Sequence, residues 1–93
     1  MKKSVITEDM EHCIICGRPY PQIHHVFYGT GNRKLSDKLG FVVPLCQEHH
    51  TGPNGVHFNK KLDIALKRKS QKIYESKVDT RNAFIRTFGR SYL

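Results

Sequence analysis

The stretch Cys46–Asn59, CQEHHTGPNGVHFN, decides how this chain is read. It sets one thiol and three imidazoles, Cys46, His49, His50 and His57, around a Gly52-Pro53-Asn54-Gly55 turn. Such side chains add little to an apolar core and much to a cation site. Spacing assigns the first of them. Cys46-x-x-His49 repeats the two-residue gap of Cys13-x-x-Cys16, which lies in CIICG. Two such pairs close a tetrahedral site of three thiolates and one imidazole with no open position, which is the chemistry of a structural Zn2+. His50 and His12 are alternatives for the fourth place. Neighbours on a helical turn diverge by roughly 100°, so His49 and His50 can address separate sites.

Length and composition fit a stapled fold. The chain has 93 residues, 38% of them hydrophobic, and no Trp, so its core is expected to be thin. With 3 cysteines, a disulfide framework would leave one thiol unpaired. No apolar run of signal-peptide length follows Met1-Lys2-Lys3, and no stretch approaches a membrane span. The expected location is therefore the cytosol, where thiols stay reduced and zinc is the natural staple. The net charge of +8 points to a polyanion. Nucleic acid is the simplest such partner, with no membrane association expected. Arg33, Lys34, Lys60 and Lys61 are the candidate phosphate contacts.

The chain reads as one domain of α+β class. Residues 1–11 form a flexible N-terminus, 12–59 a metal-binding core and 60–93 a set of basic C-terminal helices. Pro21–Gly29 reads as a strand, Gly29–Gly40 as a loop, and Phe41–Leu45 as a second strand that Pro44 ends. Helical spacing over Leu62–Val78 puts Leu62, Ala65, Leu66, Ile73 and Val78 near one stripe. Lys60, Lys61, Lys67, Arg68, Lys69 and Lys72 fall on the other face. Asp79 or Thr80 can cap a last helix that Gly89 stops, with Phe84, Ile85 and Phe88 packing inward.

Four histidines remain: His24, His25, His50 and His57. Successive side chains of a strand point to opposite sides, so His24 and His25 do not share an ion. One can ligate while the other addresses a nearby water. His50 and His57, brought together by the glycine turn, complete a three-ligand shell that leaves positions for substrate and water. A half-open cation beside a neutral imidazole is the arrangement for metal-assisted hydrolysis.

These residues carry a resemblance. CIICG, IHHV, FVVPLCQEHH and GVHFN resemble the HNH (ββα-metal, or His-Me finger) nuclease pattern. The resemblance is closest to small phage and prophage proteins of the HH…SD…PLC…HH type, among them recombination-associated nucleases, and covers Cys13 to Asn59. It implies a zinc-stabilised ββα-metal core followed by helices. His24 would be the first ligand, His25 the general base, and His50 and His57 the remaining ligands of one Mg2+, Mn2+ or Zn2+ ion. It further implies a DNA endonuclease that leaves a 5′-phosphate and a 3′-hydroxyl, nicking in phage DNA processing or recombination. Such a protein would act as a monomer or homodimer, with a host or phage recombination protein as a further candidate partner. Phe41 occupies the place of the family's middle Asn, and Asn32, Asp37 and Asn59 are candidates to replace it. Asp37 could orient His25 or join the metal shell. The GPNG insertion removes the simple i,i+4 relation between His50 and His57. A zinc-stabilised nucleic-acid-binding module without catalysis is the alternative reading, and a protein-interaction zinc domain a third.

Overall fold

The computed structural model describes residues 3–29 and 31–93. Two short strands, β1 (Gln22–His25) and β2 (Val42–Leu45), form an antiparallel pair. Gln22 faces Leu45, Ile23 faces Pro44, His24 faces Val43 and His25 faces Val42. Pro44 lies inside β2 rather than at its end. A two-stranded sheet has only edges, so the missing N–H of a proline is tolerated there, and the Pro44 carbonyl accepts from Ile14 N at 2.8 Å. That bond docks the Cys13–Cys16 turn onto β2.

The connection between the strands is not the expected loop. It carries a helix, α1 (Asn32–Leu39), between Gly31 and a left-handed C-cap at Gly40 with φ 83°. Asn, Ser and Gly in this segment suggested a loop, but the two glycines bracket the helix and Ser36 is its buried residue. The Ser36 hydroxyl donates to Phe41 O and accepts from Phe27 N, tying α1 to both strand ends. The N-terminal segment is also more ordered than expected. Val5 N donates to Gly40 O at 2.9 Å, and Lys3 and Val5 lie against the α1 cap. Met1, Lys2 and Thr30 lie outside the described residues.

After β2 come the single turn α2 (Gln47–His50), then α3 (Lys60–Lys77) and α4 (Arg81–Phe88). The Asn59 side chain caps α3 by accepting from Leu62 N. Thr80 caps α4 by accepting from Ala83 N, and Gly89 ends it in the left-handed region. The core is an aromatic cluster. Phe27 packs on Phe88 at 4.4 Å, Phe84 at 5.4 Å and Phe41 at 5.7 Å between ring centroids. Tyr74 and Tyr92 close its sides.

The inward face of α3 differs from the expected apolar stripe. Its buried residues are Asp63, Leu66, Lys67, Ser70, Gln71 and Tyr74, whereas Ala65 and Val78 are exposed. Ile85 of α4 likewise points outward, and Ala83 takes its place. Lys67 therefore does not belong to the basic outer face. Its ammonium donates to both Asp63 oxygens at 2.7 and 2.8 Å, and it lies 4.0 Å from the centre of the Tyr28 ring. Gln71 accepts from Tyr92 N and donates to Ser91 and Glu75, pinning the C-terminal residues.

A buried pair broken on one side leaves an uncompensated charge. Lys67→Met is expected to destabilise the protein by about 3–5 kcal/mol in urea denaturation. The double variant Asp63→Leu/Lys67→Met should recover most of that loss. Equal destabilisation by the single and double variants would contradict this account.

Candidate metal centres

The first group forms where three chain segments meet. The Cys13–Cys16 turn supplies two sulfurs, Cys46 stands at the end of β2, and His49 comes one turn into α2. One ligand atom from each lies within 4.8 Å of all the others. Cys46 Sγ is 3.2 Å and Cys13 Sγ 3.8 Å from His49 Nδ1, and Cys16 Sγ is 3.6 Å from Cys46 Sγ. A tetrahedron built on ordinary Zn–S and Zn–N bonds has S···S edges of about 3.8 Å and S···N edges of about 3.6 Å. All three cysteines are free thiols, so no disulfide competes. Burial pushes the Cys13 thiol up, but the backbone N–H groups of Cys46, Cys16 and Ile15 outweigh it and bring it to about 6. At Cys16 the Arg18 N–H favours the thiolate, yet burial and the adjoining Cys46 and Cys13 sulfurs raise its pKa overall. Crowded sulfurs of this kind compete for negative charge until a cation relieves them. The Cys3His group fits zinc. His12 stands elsewhere, 3.0 Å from Asp9 on the surface.

The second group is His24, His50 and His57, again with ligand atoms within 4.8 Å of one another. His24 projects from β1, His50 ends α2, and His57 follows the glycine turn. The rings are 5.2 Å apart for His24 and His50, 5.5 Å for His24 and His57, and 5.1 Å for His50 and His57. Local packing explains how His57 arrives without helical spacing. Val56 N donates to His49 O at 2.8 Å, and buried Val56 anchors the loop. A Cβ at Gly52 would sit 2.7 Å from Glu48 O, and one at Gly55 would sit 2.8 Å from His50 C and O. Both positions thus press their backbone onto α2, where only glycine fits, and the fold-back delivers His57 to His50.

Electrostatics single out His24. Burial, then the neighbouring His50, His57, Lys67 and His25, lower it to about 3, so it is a neutral donor at ordinary pH. His50 is lowered by burial and then by His57 and His25. Among the described residues, His24 Nε2 is the buried side-chain polar atom without a hydrogen-bond partner. Such an orphan costs about 1–3 kcal/mol, and a cation at the centre of the three rings would satisfy it. The donor set and this unpaired lone pair fit a divalent ion.

His25 turns to the other side of β1, where its Nε2 lies 3.0 Å from Asp37 Oδ1. A carboxylate only accepts, so Nε2 carries the hydrogen and Nδ1 the lone pair. Ile23, His24, His25, Tyr28, Arg33, His50 and His57 line a cleft of about 290 Å³. A neighbouring depression is lined by His25, Arg33, Lys34 and Asp37. The predicted residues Arg33 and Lys34 thus meet His25, whereas Lys60 and Lys61 are exposed on the first turn of α3 and line neither depression. Asn32 donates to Phe88 O and Asn59 caps α3, which leaves Asp37 as the polar partner of His25 among the three candidates. Sequence reasoning missed Tyr28, whose ring lies 6.1 Å from His24 and 5.8 Å from His57, and nothing in its local pattern marks it. It also missed Gln22, although a two-residue strand period from His24 reaches it.

Comparison of the chain with protein-family models, curated proteins and solved structures returns no match to any of them. Among the described residues, no helix is long and apolar enough to cross a membrane.

Structural zinc sites contribute about 10–16 kcal/mol, against ~5–15 kcal/mol for the whole stability of a small domain. A strong chelator should therefore abolish the helical circular-dichroism signal, and added Zn2+ should restore it. Cys46→Ser should remove this reversibility. Retention of the full signal in metal-free protein would refute a structural zinc.

Proposed function

We propose that the protein is a metal-dependent DNA endonuclease of the HNH type, built on a ββα-metal core in which α1 interrupts the hairpin. One observation carries this reading: three convergent imidazoles, one with a buried unpaired nitrogen, share a cleft with an Asp-oriented histidine and an arginine.

The residues divide the work as follows. His24, His50 and His57 would hold a divalent ion, whose chemistry there would be polarisation of a phosphodiester and charge stabilisation for the leaving oxygen. His25 takes the proton of the attacking water at Nδ1, and Asp37 fixes the ring and offsets the charge it gains. Arg33 places its guanidinium on a non-bridging phosphate oxygen, and Lys34 lies beside it for the neighbouring phosphate. In this reading Asp37 would do the work of the family's middle Asn, whose place Phe41 occupies. Three imidazoles without a carboxylate favour Zn2+ over Mn2+ or Mg2+ in affinity. The expected act is a nick leaving a 5′-phosphate and a 3′-hydroxyl, during phage DNA processing or recombination in a bacterial cytoplasm.

Supercoiled plasmid incubated with Zn2+, Mn2+ or Mg2+ should be nicked, and chelator should stop it. His25→Ala should lower the rate by about 10²–10⁴-fold, the usual contribution of general base catalysis, with DNA retardation unchanged. His24→Ala should remove one of two bound ions and leave the fold intact. Retardation of DNA without nicking in any ion would instead favour a non-catalytic binding module.

A further inference from the structure

The Gln22 side chain has no part in the chemistry above, yet it touches the second metal group. Its Oε1 lies 2.7 Å from His50 Nδ1. The reason lies in the strand. A period of two puts Gln22 and His24 on the same face of β1. His50, ending the turn that follows β2, meets that face twice: its ring lies 5.2 Å from the His24 ring, and its Nδ1 reaches the Gln22 amide.

The chemistry of that contact has two versions with opposite consequences. If the amide oxygen accepts, Nδ1 carries the hydrogen and Nε2 of His50 presents a lone pair. If the amide NH2 donated instead, Nδ1 would be the acceptor and Nε2 would be protonated, unfit to ligate. With Oε1 facing Nδ1, the contact is satisfied when Nδ1 carries the hydrogen, the form in which Nε2 is free to ligate.

We propose that Gln22 is a positioning residue of the divalent-ion site: it locks His50 in the Nδ1–H tautomer and aims Nε2 at the ion. The inference rests on the reading of His24, His50 and His57 as ligands, and does not depend on nuclease activity. Partners of this type ordinarily change metal affinity by about 10–100-fold. Because the bond is exposed to solvent, the effect belongs at the lower end, about tenfold.

The test uses zinc-loaded full-length protein whose second site is titrated with Mn2+ and, separately, with Zn2+ by calorimetry. Gln22→Met keeps the length and removes the acceptor, so its affinity should fall about tenfold. Gln22→Glu keeps an acceptor and adds charge, so it should bind at least as tightly as the parent. Long-range 1H–15N correlation spectra, recorded before the second ion is added, supply a readout that a merely structural role would not move. His50 should be the Nδ1–H tautomer in the parent and in Gln22→Glu, and should shift toward Nε2–H in Gln22→Met. Equal affinities and tautomers for Gln22→Met and the parent would overturn the proposal while leaving the ligand assignment standing. Equal losses in both variants would reduce Gln22 to a strand residue and also overturn it. A parent protein that takes up no second ion would overturn the ligand assignment and the proposal together.

Discussion

The arrangement depends on one short turn, Gln47–His50, set directly after a cysteine. Cys46 closes β2 and belongs to the sulfur group, and the turn then presents His49 to that group and His50 to the imidazole group. Because consecutive helical side chains diverge, a four-residue helix serves two centres on different sides. Its own backbone has little to stabilise it. The Cys3His group, the Pro44–Ile14 bond and the pressed glycines therefore have to hold it. Any loss of the sulfur group should propagate to His50 through the single peptide bond that joins it to His49, so the stability of one group underwrites the geometry of the other.

Behind the cleft, the interior is polar to an unusual degree for so small a chain. Asp63, Lys67, Ser70 and Gln71 are buried on one face of α3, and each finds partners. Lys67 stands behind Tyr28, which in turn walls the cleft. The Lys67 ammonium is among the neighbours that lower His24, while the Asp63 carboxylate at 2.7 and 2.8 Å offsets much of its charge.

What was legible in the sequence follows the physics of each feature. Cys13, Cys16, Cys46 and His49 could be grouped because thiolate spacing in tight turns is a local constraint. The strands around His24 and Val43, the α4 caps at Thr80 and Gly89, and the α+β class were legible for the same reason. The helix at Asn32–Leu39 was not, because its composition is that of a loop and its apolar contacts come from Leu35 and Leu39 alone. The inner face of α3 was hidden because periodicity counts apolar residues, and here charged and amide groups satisfy one another inside. The pairing of His25 with Asp37 joins residues across a helix, and only tertiary structure selects Asp37 over Asn32 and Asn59.

The glycines at 52 and 55 carry a broader consequence. Their backbones touch α2 so closely that a methyl group has no room at either position. The distance between the two downstream histidines is therefore set by a fold-back rather than by a helical repeat. Divergent chains sharing this plan would be found by a Gly-x-x-Gly spacer between their histidines, and a search keyed to helical periodicity would pass them by.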